Sequence, residues 1–100
     1  MDVSLDSDAG LSEQVGEIYW SELERHFARG VIIWVAADLD LIEVAMAFAK
    51  DDAERLRYWL DQKDVIKAQD AHAQTWSEAK ALLRAIVVAP WVLVQERRTH

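Results

Sequence analysis

Three carboxylates stand close together at Asp38-x-Asp40-x-x-Glu43. Oxygen donors at this spacing suit a hard divalent cation. They follow a β-branched run and open a helical stretch, the place where α/β folds hold ligands. The same residues also suffice to cap a helix and offset the positive end of its dipole. No glycine-bearing calcium loop follows and no histidine is close in sequence, so both readings stay open. Of the three histidines, His26 lies one helical turn after Glu22, a pair that can tune an imidazole for acid–base work or simply sit solvated on a surface. His72 stands one turn before Trp76 and is expected to stack on it, and His100 closes the sequence. With no cysteine, thiolate metal sites and cysteine nucleophiles are excluded. HExxH, a glycine-rich phosphate loop and GxSxG are all missing, and Ser77 falls on the wrong helix face to pair with His72. No catalytic residue and no cofactor is therefore nominated.

The aromatic residues suggest recognition instead. There are five tryptophans, Trp20, Trp34, Trp59, Trp76 and Trp91, each in or beside an apolar face. A small domain seldom hides so many indoles, so one or two are expected to line a groove or a dimer interface. Trp20 and Trp91 are the choices, because both fall at breaks between elements. Pro90 adjoins Trp91, and Gln95 and Glu96 end the same apolar run. That polar pair either reaches a ligand at the end of a strand or marks where the strand meets solvent. Trp20, Pro90, Trp91, Gln95 and Glu96 are thus the candidate binding or interface residues, and Asp38, Asp40 and Glu43 the candidate metal set.

The elements that must position these residues follow from hydrophobic spacing. Leu11, Val15, Ile18, Tyr19, Leu23 and Phe27 predict a helix over about 11–29, either continuous or breaking near Trp20, with Ser21 and Glu24 as a capping box. Gly30 supplies a left-handed stop. Val31–Ala36 is β-branched and predicts a buried strand over 31–36. Helices are predicted over 40–50, 52–62 and 69–82, with Asp51/Arg55 and Arg57/Asp61 spaced for weak surface pairs. Val65–Ile66 offers a short strand at 65–67. Ala85–Val94, broken by the one proline, predicts strands over 84–89 and 91–95 that pair with the 31–36 strand. The expectation is an α+β fold: a small sheet of two to three strands packed with about four helices. Strands apolar on both faces imply a sheet covered on both sides, by helices or by a partner subunit.

At 100 residues and 52% hydrophobic, the chain suffices for one domain over 11–96, needing neither disulfide nor metal to fold. Residues 1–10 are expected to be disordered and 97–100 frayed. The net charge of −7 argues against nucleic acid, because Arg25, Arg29, Lys63, Lys67, Arg97 and Arg98 form no stripe. The first ten residues lack both the basic region and the apolar stretch of a secretion signal, and no run is long enough to span a bilayer. A cytoplasmic protein with no membrane partner is expected.

Trp20-Ser-Glu-Leu-Glu-Arg-His-Phe-Ala-Arg-Gly30, Leu39-Asp-Leu-Ile-Glu-Val-Ala45 and Val87-Val-Ala-Pro-Trp-Val-Leu-Val-Gln-Glu96 together resemble a family of short bacterial proteins classed as a domain of unknown function. The resemblance runs from about Val15 to Glu96, and Pro-Trp-Val-Leu-Val-Gln-Glu is its most specific element. It implies a soluble bacterial protein of one domain and transfers no activity, cofactor or catalytic residue.

Function is therefore argued from the residues alone. The leading expectation is a non-enzymatic interaction or regulatory module, a homodimer shielding the Trp91 region or the binder of another protein. One alternative is a small metal- or ligand-dependent enzyme using Asp38, Asp40 and Glu43. The other is a small-molecule sensor with an aromatic-lined pocket.

Overall fold

The computed structural model describes residues 15–96. The chain runs β1 (Gly16–Tyr19), α1 (Trp20–Ala28), β2 (Ile32–Val35), α2 (Leu41–Ala49), α3 (Ala53–Gln62), β3 (Val65–Lys67), α4 (Asp70–Ala79), β4 (Leu82–Val88) and β5 (Trp91–Glu96). The strands form one sheet in the order β1-β4-β5-β2-β3. Among the described strands only β2 and β5 run parallel, with Ile33 beside Leu93 and Val35 beside Gln95. The other three pairs are antiparallel.

Alternation along the central strands explains why they are apolar on both sides. Ile33 and Val35 of β2 and Leu93 of β5 pack with Leu41, Val44 and Ala45 of α2 and Trp59 of α3. Ile32, Val92 and Val94 point the other way, into Trp20 and Leu23 of α1 and Trp76 of α4. The sheet thus separates two cores, one under α2 and α3, the other under α1 and α4. Both covers come from the chain's own helices.

The α+β class agrees with the sequence reading, and the described residues hold four helices, but their sheet has five strands where two to three were expected. The fifth is β1. Val15, Ile18 and Tyr19 are spaced as in a helix, yet Gly16–Tyr19 pairs with Leu82–Ala85 of β4. That ladder joins distant segments, and no local pattern reveals it. The chain turns helical only at Trp20, so Ser21 lies inside the first turn and caps nothing. A backbone group from another junction serves instead: the Trp20 N–H donates to the Ala81 carbonyl at 2.9 Å. The part of the predicted 11–29 helix before Val15 lies outside the described residues, as do the segments 1–10 and 97–100.

Helix α4 ends at Ala79 rather than near 82, because Lys80 takes the left-handed conformation (φ 50°) and Leu82 has already entered β4. Its start is held by His72, whose Nδ1 accepts the Gln69 N–H at 2.9 Å. Gly30 is left-handed as expected, at φ 76°. Pro90 sits in the tight β4–β5 turn behind a cis Ala89–Pro90 bond, where no ladder N–H is required of it.

Candidate functional site

The Asp38–Glu43 segment forms the turn from β2 into α2. Asp40 is the N-cap of α2: its Oδ1 accepts from the Ile42 N–H at 2.9 Å and the Glu43 N–H at 3.4 Å. The Glu43 carboxylate pairs with Arg55 of α3 at 2.5 Å, and both side chains are about half exposed, which makes the pair a weak one. The Arg55 guanidinium also lies over the Trp59 ring, 5.0 Å from its centroid. Asp38 is exposed on the loop. A cleft of about 390 Å³ runs past Asp40, Glu43, Lys50, Asp52 and Arg55, but Asp38 does not line it, and its charges are of both signs. Among the described residues no group of three or more His, Cys, Asp or Glu is arranged to hold a metal ion.

Gln95 and Glu96 are both engaged within the fold. Gln95 is buried, 2% exposed, so the strand does not surface into solvent at this residue. Its Nε2 donates to the carbonyls of Ala36 at 2.8 Å and Leu39 at 2.7 Å, while its Oε1 accepts from Arg84 at 3.2 Å. The amide therefore fastens the loop that carries Asp38 to the centre of the sheet. Glu96 accepts the indole N–H of Trp76 at 2.9 Å. Trp20 is mostly buried, at 5% exposure, edge-on to Phe27 and tilted against Trp76, and its remaining surface lines a cleft of about 380 Å³ with Tyr19, Ser21, Glu24, Ser77 and Lys80. A helix start is usually a surface feature, but here the end of α4 covers it.

His72 stacks on Trp76 as expected, with ring centroids 5.6 Å apart. Its other face carries Trp34 at 5.2 Å and 17°, a contact that sequence spacing has no means to reveal. The imidazole is thus held between two indoles while its Nδ1 caps α4.

Two further concave surfaces among the described residues have a largely apolar lining. A cleft of about 450 Å³ opens between α1 and the β1–β4–β5 end of the sheet, with Leu23, Ala85 and Val92 as its floor and Glu22, His26 and Arg29 at its edge. Exposed Val87 and Pro90 also border it. The second is a groove of about 240 Å³ on the opposite face of the sheet, where Trp91 and Phe48 lie 6.5 Å apart at a tilt. Ile33, Leu56, Leu60, Val65 and Ile66 complete its apolar lining, with Lys67 at the margin. Trp59 of α3 turns inward, and Leu60 next to it stays 52% exposed. Pro90 and Trp91, adjacent in sequence, therefore serve different surfaces.

These features define a small α+β domain with helices on both faces of a mixed sheet. The chain belongs to the DUF2288 family, described as proteins of unknown function, whose model matches residues 6–96. It is also similar to PA1075 from Pseudomonas aeruginosa, known from an NMR solution structure. The two are 39% identical, with a TM-score of 0.84, over 99% of this chain and 90% of that one. No curated protein matches the chain. No described helix is long and apolar enough to cross a membrane.

Proposed function

We propose that the protein is a non-enzymatic, cytoplasmic interaction module that associates with a second copy of itself through the groove beside Trp91. The observation that carries this reading is the groove's composition. Apolar side chains from β2, α2, α3, β3 and β5 converge there, and Leu60 at its lip is 52% exposed. Apolar surface gathered in one concavity is the usual mark of a docking site, whereas scattered exposed apolar residues are ordinary. Catalysis at Asp38, Asp40 and Glu43 has less support, since Asp40 is committed to a cap and Glu43 to Arg55. Sedimentation velocity over a range of concentrations tests self-association. The Leu60→Asp variant is expected to sediment as a monomer while keeping the wild-type circular dichroism spectrum. A wild-type chain that stays monomeric at millimolar concentration overturns the reading.

The cleft beneath α1 favours a second reading, small-molecule binding. Its volume of about 450 Å³ falls in the range of ligand pockets, and it joins an apolar floor to a polar edge. Among its described lining residues only His26 is aromatic, so this cleft is not the aromatic-lined pocket expected from the sequence. Ligand-induced shifts in melting temperature across a panel of small apolar acids and amines test it. Val92→Trp, which fills the floor, is expected to remove any shift that a true occupant produces. A panel that produces no shift, or one that survives Val92→Trp, counts against the cleft as a binding site.

A further inference from the structure

The outer face of α3 carries charges that bear on how a second copy could be oriented. Arg57 and Asp61 stand one turn apart on the outer face of α3, both exposed. Their spacing suits an i,i+4 pair within the helix. Yet the only ion pair α3 makes among the described residues is Arg55 with Glu43, and neither the Arg57 nor the Asp61 side chain bonds to any described residue. Beside them runs the apolar flank of the same helix: Ala53, exposed and small enough for close approach, then Leu56 and Leu60, which border the Trp91 groove.

Two opposite charges at this spacing are self-complementary under a two-fold rotation. In an isologous contact, residue i of one copy meets residue j of the other and j meets i. If the axis crosses α3 between Arg57 and Asp61, each arginine faces the other copy's aspartate, twice over. The same rotation brings the two Leu60 side chains close to each other across the axis and runs the α3 helices antiparallel, which also opposes their dipoles. Resting on the reading that the Trp91 groove is a self-docking surface, we infer that the protein forms an antiparallel α3–α3 homodimer in which Arg57 of each copy pairs with Asp61 of the other. The chain's net charge of −7 makes such a device useful, because two copies repel at long range and need a local match to set their register.

Charge reversal tests this orientation separately from self-association itself. Arg57→Asp places two aspartates opposite each other at both ends of the contact, and Asp61→Arg does the same with arginines. Each single variant is expected to self-associate at least about tenfold more weakly than wild type. When the two variants are mixed, both acidic side chains of the Arg57→Asp copy face both basic side chains of the Asp61→Arg copy. A heterodimer is therefore expected near wild-type affinity. Fluorescence energy transfer between differently labelled variants reads out that preference, and circular dichroism checks that α3 is intact. Helix stability alone cannot produce heterodimer preference, since each variant carries the same like-charged pair in either complex. A wild-type dimer that Leu60→Asp disrupts, but that shows no heterodimer preference, overturns the antiparallel register and leaves the docking groove standing. A wild-type chain that is monomeric overturns both.

Discussion

The side-chain amide of Gln95 donates to the carbonyl of Ala36 at 2.8 Å, joining the end of β5 to the residue that follows β2. The two strands are parallel neighbours with Val35 opposite Gln95, so this bond continues their pairing beyond the last rung of the ladder. The same nitrogen also holds Leu39, and Arg84 of β4 closes on the amide oxygen. One buried side chain thereby fixes three strands and the loop entering α2.

Replacing Gln95 with Leu keeps the volume but strands these groups. A buried carbonyl without a donor costs about 1–3 kcal/mol. Gln95→Leu is expected to lower the stability to urea by about 2–3 kcal/mol, with the m-value unchanged. A loss below the error of the measurement would show that water replaces the amide at this corner.

The Trp76 indole N–H donates to Glu96 at 2.9 Å while the ring packs against Trp20 and His72. Hydrogen bonds to charged groups contribute about 1.5–3 kcal/mol when partly buried. Trp76→Phe is expected to lose about 2 kcal/mol, and Glu96→Gln, which keeps an acceptor, less than about 1 kcal/mol by the same reasoning. Chemical denaturation of both variants checks the order, and equal losses would mean that the charge on Glu96, not the indole ring, carries the contribution.

The backbone supplies a paired test. Lys63 ends α3 in the left-handed region at φ 62°, whereas Gly30 occupies that region at φ 76°. A Cβ there costs about 1–2 kcal/mol, partly offset by the greater freedom of glycine in the unfolded chain. Lys63→Gly is expected to raise stability by about 0.5–1 kcal/mol. Gly30→Ala is expected to lower it by about 1 kcal/mol, since the new carbon would also approach the Lys67 Nζ to 3.3 Å. Thermal melts that move in the same direction for both variants would contradict this.

Asp40 gives the sharpest contrast between capping and metal binding. As an N-cap holding the Ile42 and Glu43 amides, it contributes about 1 kcal/mol, and Asp40→Asn is expected to retain most of that. Millimolar Mg²⁺, Ca²⁺ or Mn²⁺ is expected to leave the melting temperature of the wild-type chain unchanged. A rise of several degrees that Asp40→Asn abolishes would instead support the metal reading.

Local chemistry makes some of this plain from the sequence. Val31–Ala36 declares a strand because β-branched residues without helical spacing fit little else, and Asp40 declares a cap because a carboxylate before an apolar helix has a local partner. His72 and Trp76 share one helix, so their stacking is legible as well. What stays hidden depends on distant pairing. Gly16–Tyr19 has helical spacing and becomes a strand only because β4 lies beside it. Gln95 reads as the polar end of an apolar run, and its partners are 59 and 56 residues away. Trp20 follows a break and so reads as available, but its ring packs on Trp76 of α4 and keeps only a small surface at a cleft. The groove at Trp91 is half visible: its aromatic member can be named from the sequence, while its other wall requires knowing that Trp59 turns in and Leu60 does not.

Self-association through that groove is tested most directly by sedimentation equilibrium of the wild-type chain and Leu60→Asp, from micromolar to millimolar concentration. The wild type is expected to rise toward twice the monomer mass with increasing concentration, while Leu60→Asp stays at the monomer mass throughout. Monomer mass for the wild type at every concentration, or dimers that form equally well with Leu60→Asp, would contradict a docking surface at the Trp91 groove.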